Sequence, residues 1–324
     1  MHKIHIRPAL RGTDRIRSLR YVQLLAVSLL VGGSSLVGTS PSGATPSSPS
    51  STVCITRSSP TFMGPCPLGS PQVVAFSASQ TLFPTLAATA AGAVYTDDAG
   101  SLPGMNGKKL NAPIVGMATT YGPYGYYLVA ADGGVFAFNT SLAIPYGRST
   151  AIFARFYGSV GGQPLDAPIV GMAVTNGGEG YYLVAADGGV FAFGDAVFRG
   201  SMGGQHLNAP IVGMGVTPTG TGYWLVAADG GVFTFGDAKF YGSMGGQHIN
   251  APVTGITSRT GGGYSLVAAD GGIFTFGHAA FSGSAKGYTT APMIGIYGLA
   301  EGSIGYSSVW VPYVVSAAGD EFQL

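Results

Sequence analysis

The chain has 324 residues, of which 54 are Gly and 9% are charged, and its formal net charge is +1. Gly, Ala, Val and aromatics at that density exclude a helical bundle and suit many short strands joined by tight turns. Gly follows a strict pattern and Pro recurs regularly, which sets aside low-complexity disorder outside residues 40–52.

Residues 1–20 carry Lys3, Arg7, Arg11, Arg15, Arg17 and Arg20 against the single acid Asp14. The apolar run YVQLLAVSLLVGGSSLVG (residues 21–38) follows, then small residues at Ser42 and Ala44. Basic region, apolar run and small residues make an export signal over 1–44, cleaved after Ala44. The alternative is a retained signal anchor, the only membrane contact expected, although the run is short and Gly/Ser-rich for a spanning helix. With residues 1–44 removed, 9 Lys+Arg face 13 Asp+Glu. That mildly acidic remainder excludes nucleic acid as a partner, because phosphate binding needs a basic face.

Residues 45–70 form a Ser/Pro-rich linker holding the only two cysteines, Cys54 and Cys66. An exported chain with two nearby cysteines is expected to join them, and chain-entropy reasoning gives about 3 kcal/mol for so short a loop. A pair of free thiols is the alternative.

From residue 71 onward the chain repeats itself. YYLVAADGGVFAF (126–138), YYLVAADGGVFAFG (181–194), YWLVAADGGVFTFG (223–236) and YSLVAADGGIFTFG (264–277) are near-copies. Each unit opens with a Pro in a NAP, DAP or TAP context, at Pro113, Pro168, Pro210, Pro252 and Pro292. A degraded first unit starts near Pro71, and VVSAAGDEF (314–322) matches LVAADGGVF in a degraded last one. Within residues 210–251, PIVGMGVTP, YWLVAAD, GVFTF and KFYGSM read as four strands. Asp229-Gly230 is expected as a two-residue hairpin turn with both central residues at positive φ. Four strands per unit of this length predict an all-β fold, a β-propeller over 71–324 of about six four-stranded blades. Seven blades follow if residues 53–70 and an insertion contribute more, and a solenoid is the runner-up. The nearly continuous apolar runs LVAA and VFTF imply strands covered on both faces. The last unit lacks the GDA-x-F-x-GS segment, so TVCITR (52–57) is expected to pair with the unit begun by Pro292 and close the ring, avoiding an open edge.

The block GYWLVAADGGVFTFGDAKFYGSMGG resembles repeats found in many exported actinobacterial proteins of unassigned function. That resemblance implies a β-propeller and little else. The hairpin DGGVFTFGDAKFYGSMGG is also similar to repeats of the regulator of chromosome condensation superfamily, which includes secreted bacterial propellers that inhibit β-lactamases by protein–protein contact. The repeat here is shorter and lacks the fuller Gly-Gln-Leu-Gly tail, so no functional residue or partner is carried over from either family.

The recurring Asp132, Asp187, Asp229 and Asp270 read as turn formers that bond their own backbone rather than as ion ligands. Asp195 and Asp237 have Asn139 and His278 as counterparts, so no carboxylate is required there. His206 and His248 occupy matching places in separate units, without the convergent ligands zinc needs. No metal, cofactor or catalytic motif is expected: GxSxG is absent, and Ser201 and Ser243 are repeat positions. The few acids outside the repeat leave an envelope hydrolase, a glycosidase or esterase, as the alternative function.

Departures from the repeat are the expected binding sites. Residues 139–156 are an insertion carrying Tyr146, Arg148, Phe153 and Arg155, and residues 298–313 carry Trp310 and Tyr313. Arg and aromatics are residue types that anchor interfaces. Lys108-Lys109 is a third departure. The sequence thus reads as a monomeric module, extracellular or at the cell surface, that binds a protein or a cell-envelope glycan.

Overall fold

The computed structural model describes residues 56–58, 73–77, 86–96, 101–120, 125–139, 153–258, 261–301, 309–318 and 320–324, all within the unit Ser50–Leu324. The expected export signal, most of the linker and the Cys54–Cys66 pair lie outside these residues. The described part holds strands and turns without helices, gathered in six sheets. This is the β-propeller arrangement that the repeat predicts.

β1 (Thr56–Ser58) belongs to the last sheet. The first sheet is β2 (Val73–Ser77), β3 (Leu86–Thr89), β4 (Val94–Thr96) and β5 (Ser101–Leu102). Four three-stranded sheets follow: β6 (Ile114–Thr119), β7 (Gly125–Ala130) and β8 (Val135–Asn139); β9 (Ile169–Val174), β10 (Gly180–Ala185) and β11 (Val190–Gly194); β12 (Ile211–Val216), β13 (Gly222–Ala227) and β14 (Val232–Gly236); β15 (Val253–Ser258), β16 (Gly263–Ala268) and β17 (Ile273–Gly277). The last sheet has β18 (Met293–Glu301), β19 (Val309–Ser316) and β20 (Asp320–Gln323), with β1 lying parallel to β20 at its edge, Thr56 opposite Asp320. Every other pairing is antiparallel between sequence neighbours.

First strands stand next to first strands around an axis. β2 touches β6, β6 touches β9, and so on to β18, which touches β2. One backbone bond recurs at each junction. The N–H of Ile114 donates to Ala90, Ile169 to Ala131, Ile211 to Ala186, Val253 to Ala228 and Met293 to Ala269, all at 2.8–2.9 Å. Val73 donates to Ala317 at 2.9 Å, joining the first sheet to the last by the same bond. On the axis, Met117, Met172, Met214, Ile256 and Ile296 line a cavity of about 160 Å³, below the size of ordinary small-molecule pockets.

The middle strands β7, β10, β13 and β16 are buried at all six positions, as their continuous apolar runs predict. The third strands are less buried, yet both of their faces are covered: Phe136 and Phe138 pack against one core cluster and Val135 and Ala137 against the next, and Phe191 and Phe193 are set against Val190 and Ala192 in the same way. Two expectations change. The turn is longer than an Asp-Gly pair: Gly230 N–H donates to Ala227 O and Ala227 N–H donates to Gly231 O, each at 2.8 Å, so Ala228, Asp229 and Gly230 form the loop. Gly230 sits at φ 78°, a type I turn closed by a bulge. The expected fourth strand forms in the first sheet as β5, paired with β4, whereas KFYGSM and its counterparts at 155–160 and 197–202 have no ladder.

A Cβ at residue 230 would lie 2.5 Å from Met244 Cβ and would occupy a left-handed conformation. Gly230→Ala should therefore cost about 1–3 kcal/mol, read as a lowered urea midpoint. An unchanged midpoint would mean that the loop relaxes to another turn type.

Candidate functional site

The outer segments that replace the fourth strands are held by side chains. The middle strands β7, β10 and β13 each carry two successive aromatics after their first Gly, and the polar ends of these reach two different segments. Tyr182 Oη donates to Val197 O and accepts from Val197 N–H, both at 3.1 Å. Tyr223, in the next unit, donates to Gly200 O at 2.5 Å and accepts from Arg199 N–H at 3.1 Å. The segment 197–200 is thus clamped at both ends. Segment 155–158 is clamped likewise by Tyr127 on Arg155 and Tyr181 on Tyr157 and Gly158. Segment 239–242 is clamped by Trp224 Nε1 on Lys239 O and by Tyr264 on Tyr241 and Gly242. The matching Tyr126 of the second unit donates to Pro103 O in the first. Burial of these rings raises the phenol pKa throughout, that of Tyr127 to about 12, against a partial offset from its hydrogen bond to Arg155.

Between the clamped residues sits one exposed ring per unit. Phe156 is 60% exposed, Phe198 55% and Phe240 59%. Phe281, in the matching place of the next unit, is 62% exposed, but there Ser265 stands where the other units have the second aromatic. A cation adjoins each clamped ring in sequence: Arg155, Arg199 and Lys239, all exposed. Among the described residues none of these three forms an ion pair, and Lys286 with Asp270, at 3.1 Å, is the bridge found there.

Two acids of the same region, Asp195 and Asp237, are engaged by threonines, and exposed Glu179 acts on Tyr157. Asp195 accepts from Thr175 Oγ1 at 2.7 Å. Asp237 accepts from Thr217 and Thr219. Those threonine hydrogen bonds, that of Thr219 foremost, hold the Asp237 carboxyl below its ordinary value. The turn carboxylates each accept from the Gly N–H two residues on, at 2.9–3.0 Å for Asp132, Asp187, Asp229 and Asp270. This is the turn-forming role expected of them. Asn139 and His278, the counterparts of Asp195 and Asp237, bond the backbone at Ala154 and Gly261. His206 and His248 are exposed. Among the described residues no group of three His, Cys, Asp or Glu is placed to hold a metal ion.

Of the residues singled out in sequence, Tyr146 and Arg148 lie outside the described residues. Phe153 is 49% exposed, and Arg155 belongs to a clamped segment. Val309–Ser316 is the middle strand of the last sheet, so Trp310 and Tyr313 stand in a strand, and Tyr313 stacks on Tyr297 with ring centroids 5.4 Å apart. Lys108 borders an open groove of about 370 Å³ walled by Ala90, Leu110, Asn111, Ala112 and Pro113. The structure instead exposes the Phe array, which departs from nothing in the repeat. Its signal was present in the sequence as a Phe two residues before the Gly-Ser of four successive units.

No family model and no curated protein matches this chain. One solved structure to which it is similar is the β-propeller domain of Cps50 (Swd1) from Myceliophteria thermophila. The two share 12% identity over 78% of this chain and 83% of that one, with a TM-score of 0.48.

Two outcomes follow from the clamps. Tyr223→Phe leaves Arg199 N–H and Gly200 O without their partner and should cost about 1–3 kcal/mol, whereas Phe198→Ser, at an exposed site, should stay within about 0.5 kcal/mol. Urea titration of both variants checks the contrast, and equal effects would remove it. The raised phenols make stability depend on alkaline pH. The neutral form is favoured in the folded state, so stability is whole below the ordinary value of 10.0 and falls as pH rises from there toward about 12. Melting temperature followed against pH, beside phenolate absorbance, should drop together with the onset of ionisation. A flat melting profile through pH 11 would contradict buried, hydrogen-bonded phenols.

Proposed function

We propose that the chain is an exported, six-bladed β-propeller that acts as a binding module and takes a protein partner on its outer rim. The observation that carries this reading is the set of exposed rings at Phe156, Phe198 and Phe240, each held between two clamped backbone groups. A clamped backbone leaves only the ring's own side-chain rotation to be lost on binding, so its apolar area translates more fully into affinity. Aromatic and Arg side chains are the usual centres of protein interfaces. The basic region followed by residues 21–38 supports export, and with it an extracellular or cell-surface location. The six equivalent junction bonds, with β1 at the edge of the last sheet, support six blades.

The test uses the full mature chain as immobilised bait against proteins and isolated envelope from the source cells. The wild type should retain a protein that the Phe156→Ser/Phe198→Ser/Phe240→Ser variant, with an unchanged melting temperature, does not. Equal retention by both would move the site off the rim. Retention of protein-free envelope polymer that needs the same rings would make the ligand a glycan. Turnover of ester or glycoside substrates would revive the hydrolase alternative.

A further inference from the structure

We infer that the rim carries three equivalent sites for an acidic segment with an apolar side chain, so that one molecule holds several copies of its partner. This rests on the protein-binding reading above and names the partner's chemistry and number.

Equivalence comes from the clamps. Phe156, Phe198 and Phe240 occupy the same place in segments 155–158, 197–200 and 239–242, each pinned by an aromatic of its own unit and a Tyr of the next. The chemistry comes from the flanking charges. Arg155, Arg199 and Lys239 adjoin the rings, are exposed, and have no ion pair among the described residues. The acids of the same segments, Asp195 and Asp237, are turned to the hydroxyls of Thr175, Thr217 and Thr219. Each site therefore offers an exposed apolar ring with an exposed cation next to it in the chain, before the ring at Arg155 and Lys239 and after it at Arg199. A carboxylate beside an apolar side chain satisfies both at once.

Number comes from the ring. The three segments follow successive sheets around one axis, which sets the three sites apart along the rim. A rigid partner covers one of them at a time. Each contact is small and weak alone, and a partner that repeats or clusters its segment gains through linkage rather than through any new contact. Phe281 supplies an internal comparison, because Ala280 and Ser282 flank it without a cation.

The test is isothermal titration of the full mature chain with a short synthetic peptide, a central Leu-Phe pair flanked by glutamates. A lysine-flanked version and a Ser-Ser-centred version serve as comparisons. The wild type should bind about three glutamate-flanked peptides, and Phe198→Ser about two. Phe281→Ser should leave the number unchanged, and the lysine-flanked peptide should bind at least about tenfold more weakly. A single site, equal binding of both charge types, or the same loss from Phe281→Ser as from Phe198→Ser would overturn the inference. If no peptide binds while the triple Phe variant has lost its protein partner, the acidic-segment chemistry falls and the binding module stands. If that variant keeps its partner, the rim reading itself falls.

Discussion

Every backbone N–H and C=O removed from water needs a partner, and at segments 155–158, 197–200 and 239–242 the outer margin of this propeller meets that requirement with aromatic head groups in place of a ladder. A phenol is suited to the task because its hydroxyl donates and accepts at once. Tyr182 takes both backbone groups of Val197, and Tyr223 serves Arg199 and Gly200. Trp224, in the same position as Tyr182, has only a donor and meets only Lys239 O. The two aromatics of one strand reach in opposite directions around the ring, so each outer segment is shared between neighbouring units. Their rings touch across the junctions, Tyr127 on Tyr181 at 5.0 Å, Tyr182 on Tyr223 at 5.1 Å and Trp224 on Tyr264 at 5.6 Å. The groups that replace the fourth strand thus also bind unit to unit.

Close packing at the margin explains the Gly-Ser of the repeat. A Cβ on Gly200 would lie 2.7 Å from the Phe235 ring, and one on Gly242 2.6 Å from Phe276. The segment can cross to the next unit only if that position has no side chain. Stacked repeats contact only their neighbours, so the two ends must be joined by something that every other junction already uses. Val73 to Ala317 is that bond, made although both end units have drifted in sequence. The last sheet, which lacks its own outer segment, has β1 along β20 instead.

How much of this was legible depended on where the hydrogen bonds go. Middle strands and hairpins bond within a few residues, so apolar runs and DGG were enough to place them. The segment KFYGSM looked like a strand because its apolar content and length suit one. Its partners are side chains of residues 224 and 264, from two different units, and no local pattern encodes that. The turn was misjudged by one residue for a related reason: Asp-Gly permits a two-residue loop, while the ladder of this hairpin ends one residue earlier, at Ala227. The site was sought among departures from the repeat, on the premise that repeats specify scaffold. Exposure, which sequence does not report, is what singled out a repeated residue instead.

That premise fails at one position, and the reason can be argued from the repeat itself. Scaffold accounts for the Tyr pair through its clamps, for Asp through its turn bond, and for Gly through close approach. The residue before the exposed ring is Arg155, Val197, Lys239 or Ala280, and the residue after it is Tyr157, Arg199, Tyr241 or Ser282. Both places tolerate apolar, polar and charged side chains, because the clamps hold backbone atoms there. The residue between them is held by the same clamps in three of the units and is more than half exposed in all four, so a polar side chain would satisfy the fold equally well. Yet that place is Phe in all four units. An apolar ring kept in water, in a frame indifferent to its identity, has no role in folding that these contacts show. Its physical effect is realised only when another surface covers it.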